Sequence, residues 1–263
     1  MKILGFNWSD LRLLRHLVEM SLRDRYLATG LGGAWAVLNP LLMFALYTFV
    51  FAFVLKVRVP GNDSVLGYVV WLIVGYGPWL ATVEGISIAA SSVISGVGLV
   101  KNLAFKTELL PLAAVLVGGV PLLVSIVFAI VLLAFEGRLP PHQVVLLPVL
   151  AALQLLLVAG IGVWLSAIAV FVRDLLQVIP SALTAMLFLS PVFYDIQSMP
   201  QVIQAATRFN PIFILSDAYR NCLIRGGWPD LVGLLLVAVL GAAALASGLA
   251  AFRRCKGRFI GAV

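Results

Sequence analysis

The sequence predicts an all-α membrane protein that crosses the bilayer several times. Six long apolar stretches occupy most of the 263 residues, and Glu84 is the one acidic or basic side chain within them. Each stretch reaches the roughly 20 residues that a helix needs to cross the hydrocarbon core of a bilayer. The composition agrees, because hydrophobic residues make up 62% of the chain and charged residues only 11%, whereas soluble domains average about 25% charged residues.

The predicted architecture is a single transmembrane domain over residues 1–263. Its transmembrane helices are expected at residues 35–55, 66–87, 109–135, 144–172, 175–194 and 231–252. The 18 lysines and arginines divide unevenly over the connecting segments if the N-terminus is cytoplasmic. The cytoplasmic side then holds Lys2, Arg12, Arg15, Arg23, Arg25, Lys101, Lys106, Arg173, Arg253, Arg254, Lys256 and Arg258, and the opposite side Lys56, Arg58, Arg138, Arg208, Arg220 and Arg225. Because cytoplasmic loops carry the excess of basic residues, both termini are expected inside, and the net charge of +7 needs no nucleic-acid partner.

Two segments outside the predicted spans also have helical character. Apolar residues recur every three or four positions between Leu11 and Leu22, with basic residues on the opposite face. This pattern predicts an amphipathic helix over residues 9–27 that lies in the cytoplasmic interface, or else a solvated helix packed on a partner protein.

Residues 195–230 contain two short apolar runs separated at Asn210 and Pro211. They predict two short helices that re-enter the outer leaflet, or else an amphipathic loop that lies flat outside.

The sequence lacks the motifs of common enzymes. It contains no G-x-x-x-x-G-K-[ST] phosphate loop, no Rossmann glycine pattern and no H-E-x-x-H zinc motif. We therefore expect a protein without catalytic residues, bound metal or cofactor, and any ATPase that drives it is expected on another chain. Glu84 is costly within a membrane, which leaves two interpretations: a proton relay, or a structural ion pair with a basic residue such as Arg25 or Arg173.

Aromatic residues are concentrated in the first and fifth predicted spans. Those singled out are Phe44, Tyr47, Phe51, Phe188, Phe193 and Tyr194. Membrane aromatics generally pack between helices or lie at the interface. A row of them along a water-filled pathway would instead stack on sugar rings, and both interpretations stay open on the sequence.

Five stretches along the chain carry a family resemblance. They are Arg-Asp-Arg-Tyr at 23–26, Gly-Pro-Trp at 77–79, Glu-Leu-Leu-Pro-Leu at 108–112, Val-Arg-Asp-Leu at 172–175 with Leu-Ser-Pro-Val-Phe-Tyr at 189–194, and Asn-Pro at 210–211 followed by Arg220 and a tail that begins at Arg254. In this order they resemble the membrane subunit of bacterial ABC-2 type exporters of O-antigen, capsule and teichoic acid. The sequence departs from that family at 105–107, which reads Phe-Lys-Thr where Phe-Pro-Arg is common.

The resemblance implies a transport subunit rather than an enzyme. Two copies of the chain would form one pore in the bacterial inner membrane, and two ATPase subunits, which carry ATP and Mg²⁺, would dock on its cytoplasmic face. The cargo would be a polysaccharide attached to an undecaprenyl-diphosphate-type lipid. The alternatives are an ABC-2 permease for a drug or a lipid and, more remotely, a membrane enzyme or an autonomous channel.

The resemblance also implies roles for particular residues. Residues 91–106 would form the coupling segment that receives the motion of the ATPase. The residues expected at that contact are Ser91, Lys101, Phe105, Lys106, Arg173 and Asp174. The first and fifth spans would line the channel with the six aromatic residues given above. Arg23 and Arg25 would attract the lipid diphosphate at the entrance, or would anchor the chain to anionic membrane lipids.

Overall fold

The computed structural model describes residues 7–27, 30–57, 64–102, 105–138, 141–194, 196 and 200–259. Within these ranges the chain is largely helical and contains no β-strand, which confirms the all-α prediction. The α-helices in chain order are α1 (Trp8–Leu22), α2 (Trp35–Thr48), α3 (Val65–Ser95), α4 (Val97–Asn102), α5 (Leu109–Gly118), α6 (Val120–Phe135), α7 (Leu147–Ala169), α8 (Leu175–Leu189), α9 (Gln201–Thr207), α10 (Pro211–Arg220) and α11 (Leu231–Cys255).

Several helical segments are long and apolar enough to cross a membrane, so the chain is a multi-pass membrane protein. In the described part of the chain there are five: Gly32–Val54, Val65–Ser95, Leu109–Phe135, His142–Ala169 and Leu231–Arg258.

Helix α8 is shorter than the fifth predicted span, which was expected to end at residue 194. It has 15 residues, or about 22 Å at 1.5 Å per residue, against about 30 Å of hydrocarbon. The helix ends at Leu189, and Ser190 is already extended, with φ −96° and ψ 134°. The cause is Pro191, because a proline disfavours the helical conformation of the residue before it.

Helix α3 is longer than its predicted span, which was expected to end at residue 87. It continues to Ser95 and therefore includes Ser91. The hydroxyls of Ser91, Ser92 and Ser95 donate to carbonyls of their own helix, so this serine-rich stretch satisfies its polar groups without leaving the helix. Ser92 also lies 3.3 Å from the hydroxyl of Ser166 on α7.

The core of the bundle is built around α3. Within the apolar 18-residue stretch of α3, 83% of the residues are buried, against at most 39% in the corresponding stretches of the other four long segments. Helices α5, α6, α7, α8 and α10 pack around it, and α7 packs against α11 on the outside. Glycines permit the closest crossings: a Cβ atom on Gly118 of α5 would lie 2.3 Å from the Cα of Gly85 on α3.

The bundle has two ends of different character. One end, called here the charged end, holds α1, α4, residues 105–108, the turn at 170–174 and the C-terminal end of α11, and two small apolar clusters join these elements. The opposite end holds α9 and α10, which are the short helices found in the segment 195–230. Helix α10 is largely buried and packs against α3, α7 and α11, so it is not a loop lying flat on the surface.

The crossing of α3 and α5 leads to a first prediction. Gly118→Ala should destabilise the protein by about 1–3 kcal/mol, because the new methyl group meets backbone rather than a flexible side chain. Thermal unfolding in detergent measures this change. The control is Gly98→Ala in α4, where a Cβ atom meets nothing within 4 Å and the helix gains propensity. Equal stability of the two variants would contradict the packing of α3 on α5.

Candidate functional site

Five aromatic side chains form what we call the aromatic cluster: Phe44, Tyr47, Phe51, Tyr76 and Phe193. The Phe193 ring stacks on Phe51 and Tyr47, with centroid distances of 4.5 and 4.7 Å. Tyr76 lies 4.7 Å from Tyr47 and 5.4 Å from Phe193. The cluster joins α2, α3 and the residues that follow α8. It thus brings together four of the six predicted channel aromatics with Tyr76, which was not among those six.

The six predicted channel aromatics differ in how much surface they expose. Phe44 and Phe193 are buried, at 2% and 0% exposure, so in this chain they pack in the interior. Tyr47 and Phe51 are half-buried, as is Tyr194, whose hydroxyl donates to the carbonyl of Phe188 at 2.7 Å. The Phe188 ring is itself exposed.

Polar groups line the buried face between α3, α7 and α10. Gln154 donates to the carbonyl of Pro78 at 2.6 Å and accepts from the hydroxyl of Tyr219 at 3.1 Å. Ser216 donates to the carbonyl of Gly75 at 3.2 Å. The sequence analysis missed these residues, although a glutamine within a membrane-length apolar run was a visible signal, since buried polar side chains need partners.

The acidic residue of α3 is paired with a basic residue from the N-terminal segment. Arg25 donates to the carboxylate of Glu84 at 2.9 Å, and its guanidinium also lies 5.6 Å from the centroid of the Tyr26 ring. Arg25 was one of the two partners expected for Glu84. Its neighbour Arg23 is exposed, as Arg25 itself is.

The predicted coupling segment is distributed over several elements. Ser91 lies within α3 and Lys101 lies within α4. The side chain of Lys101 is outside the described part of the structure. Phe105 packs with an apolar cluster that includes Leu17 of α1 and Leu109 of α5. Arg173 and Asp174 are exposed in the turn between α7 and α8.

Two ion pairs hold the charged end together. Lys106 pairs with Asp10 of α1 at 2.5 Å, and Arg253 of α11 pairs with the buried carboxylate of Glu108 at 2.9 Å. The hydrogen bond from Lys106, together with the backbone N–H of Asn7, lowers the pKa of Asp10 below its usual value of 3.8. Residues 105–108 thus contact both the N-terminal helix and the C-terminal end of the last helix.

A cavity of about 730 Å³ lies between α1 and the helices α3, α4 and α5. Its lining includes Met20 and Asp24 on one side and Ser92, Leu99 and Ala113 on the other. Helix α1 therefore packs on α5 through one face and leaves an open space toward the end of α3 and α4.

The chain matches the ABC-2 type transporter family over residues 12–224, and it belongs to that family. Among curated proteins it is similar to an O-antigen export system permease protein RfbA of Klebsiella pneumoniae, with 27% identity over 94% of this chain and 93% of that protein. A second Klebsiella pneumoniae protein of the same name is 26% identical over the same shares. The protein of that name from Myxococcus xanthus is 27% identical over 87% of this chain and 86% of its own.

The ion pair of Lys106 leads to a prediction about pH. Because the folded-state pKa of Asp10 lies below 3.8, the pair stabilises the attachment of α1 above that value and is lost as the pH falls through the lowered pKa. The protection factors of the α1 amides, which remove the pH dependence of the intrinsic exchange rate, should therefore stay constant from about pH 8 to pH 5 and fall only in more acidic solution.

Substitution checks the same pair at neutral pH. Lys106→Gln should accelerate exchange in α1, since the hydrogen bond to the carboxylate becomes weaker without the cation, whereas Lys106→Arg should retain slow exchange. The control is Lys256→Gln, which changes an exposed lysine near the C-terminal end. If α1 exchanged equally slowly in all three variants, the ion pair would not hold this helix.

Proposed function

We propose that this chain is the permease subunit of an ABC transporter that exports a lipid-linked, O-antigen-like polysaccharide across the bacterial cytoplasmic membrane. Membership of the ABC-2 type transporter family is the observation that carries the proposal. The three relatives are named for O-antigen export, and the chain covers most of their length. The energy would come from the hydrolysis of ATP bound with Mg²⁺. Because the sequence contains no phosphate loop, this ATP would be bound by two separate ATPase subunits.

A second copy of the chain would complete the pore. In the segment Gly32–Val54, only 17% of the apolar 18-residue stretch is buried within one protomer. Leu42, Leu46, Phe49 and Phe53 are exposed along it, and Phe188 and Leu189 are exposed on α8. Two protomers that face each other through α2 and α8 would cover part of these surfaces and enclose a pathway between them.

The aromatic side chains would form the wall of that pathway. Sugar rings have apolar faces that stack on aromatic rings without a specific hydrogen-bonding pattern, which suits a repeating polysaccharide. Tyr47, Phe51, Phe188 and Tyr194 retain exposed or half-exposed rings for this contact. Phe44 and Phe193 would support the wall from behind.

The charged end would face the cytoplasm and receive the ATPase. It holds both the N-terminal helix and the C-terminal end of α11, which supports the orientation with both termini inside. Residues 91–106 would transmit motion, because α4 follows directly on α3 and residues 105–108 lead into α5. The exposed turn at Arg173 and Asp174 would add a contact next to α8.

Arg23 and Arg25 would take different parts in recognising the lipid diphosphate. Both arginines are exposed, and the ion pair with Glu84 holds the guanidinium of Arg25. We therefore assign the first contact with the diphosphate, or with anionic membrane lipid, to Arg23. Arg25 would add a second positive charge at a defined position.

Reconstitution tests the proposed function directly. In proteoliposomes that hold this chain, its ATPase and a lipid-linked glycan, ATP and Mg²⁺ should move the glycan to the far side. Proteoliposomes with the chain alone, or with an ATPase that binds but does not hydrolyse ATP, should show no movement. Transport without the ATPase would contradict the proposal, and ATP-driven movement of a lipid but no glycan would indicate a permease for another cargo.

The proposed channel wall gives a second test in the same assay. Phe51→Ala and Tyr194→Ala should each slow glycan export roughly two- to tenfold, as expected for the loss of an aromatic contact worth about 0.5–1.5 kcal/mol. The control is Phe135→Ala, which removes an exposed ring at the end of α6, away from the aromatic cluster. Equal export by all three variants would mean that the rings at 51 and 194 serve packing only.

A further inference from the structure

The chain leaves the helical conformation within the protein interior immediately after α8. Ser190, Val192 and Phe193 are at most 1% exposed, yet residues 190–194 form no helix. Buried backbone carbonyls cost free energy unless they accept hydrogen bonds. This segment therefore depends on donors from other elements.

Three side chains from distant parts of the sequence donate hydrogen bonds to this segment, two of them to backbone carbonyls and one to a side-chain hydroxyl. The Tyr68 hydroxyl of α3 donates to the carbonyl of Phe193 at 2.9 Å. Arg220 of α10 donates through Nη2 to the carbonyl of Val192 at 2.6 Å. Asn210 donates to the hydroxyl of Ser190 at 2.7 Å. We call Tyr68, Asn210 and Arg220 the clamp.

Arg220 is the central member of the clamp. It is 2% exposed, and its guanidinium lies 3.5 Å from the centroid of the Trp71 ring, an arrangement that offsets the cost of burying the charge. Longer contacts of 3.5 Å reach the carbonyls of Trp71 and Pro191. A Cβ atom at Gly75 would lie 2.0 Å from Nη2, so the glycine provides the space that the guanidinium occupies.

The clamp is attached to the most buried helix of the bundle. Asn210 accepts a hydrogen bond from the backbone N–H of Ile212 and so caps α10, while Ser216 joins α10 to the carbonyl of Gly75 on α3. In α8, by contrast, only Ile179, Leu183 and Leu187 are buried. The position of the segment after α8 is therefore set largely by α3 and α10.

We infer that the clamp positions Phe193 against Tyr47 and Phe51, and that Arg220 is a positioning residue for the proposed sugar pathway. The inference rests on the proposed function for its effect on transport. Residues 190–193 connect the clamp directly to the stacked rings. A weakened clamp would let the Phe193 ring leave its stack and would deform the wall beside Tyr47 and Phe51.

The test places 4-fluorophenylalanine at position 193 and follows its ¹⁹F resonance in the detergent-purified chain. Tyr68→Phe removes a single hydroxyl, and Arg220→Lys keeps the charge but loses the planar fork of donors. Both variants should shift or broaden the resonance and should reduce ATP-driven glycan export by roughly tenfold, as expected for a lost hydrogen bond to a buried group. The control Arg225→Lys changes an exposed arginine on the next turn, where it pairs with Asp217, and should leave both readouts unchanged.

The two readouts separate the inference from the proposed function. An unchanged resonance in folded Tyr68→Phe and Arg220→Lys protein would overturn the clamp. A fall in export that only reflects a smaller amount of folded protein would not rescue it. If Arg220→Lys does not fold, Gly75→Ala displaces the same guanidinium while leaving its charge in place, and must alter the resonance. A resonance change in protein whose wild-type form exports no glycan would support the clamp and contradict the proposed function.

Discussion

The constraint on which this structure depends is that every backbone polar group in the bundle interior needs a partner within the protein. Lipid offers no hydrogen bonds, so a helix can be interrupted only where other groups replace the lost partners. The chain is interrupted after α8 and again before α10. At both places the partners are side chains: Arg220 and Tyr68 serve the first break, and Asn210 caps the helix that begins at the second. Several of the buried polar residues that the structure describes, among them Gln154, Ser190, Ser216 and Arg220, therefore lie around α10.

Much of the helical architecture could be predicted, because the hydropathy of a segment indicates whether it lies in lipid or in water. The five long apolar segments correspond to predicted spans, and Arg25 was one of the two basic residues considered as a partner of Glu84. Two helix ends were predicted less well. Hydropathy stays high through residue 194, although α8 ends at Leu189, since a proline interrupts the backbone without lowering apolarity. The serines before Gly96 resemble a loop, yet they satisfy their hydroxyls within α3.

The parts of the site that the sequence did not predict are contacts between distant residues. Lys106 and Asp10 are 96 residues apart, and Tyr68 and Phe193 are 125 residues apart. No local pattern specifies such pairs, because each member satisfies a requirement that arises only after the helices pack. The aromatic residues show the same limit: hydropathy placed them on the first and fifth spans, but only packing distinguishes the buried ring of Phe193 from the exposed ring of Phe188.

Helix α3 connects the two ends of the molecule. Its 31 residues extend about 46 Å at 1.5 Å per residue, with the clamp residue Tyr68 in the first turn and α4 following the last. Along this length it carries Gly75 and Tyr76 beside α10 and the aromatic cluster, and Glu84 beside Arg25. Because the helix is buried and packed closely against α5 through Gly85 and Gly118, it cannot deform freely within the bundle. Under the proposed function, a displacement applied at the charged end would reach the clamp and the stacked rings through this one helix, without requiring a chain of separate side-chain movements.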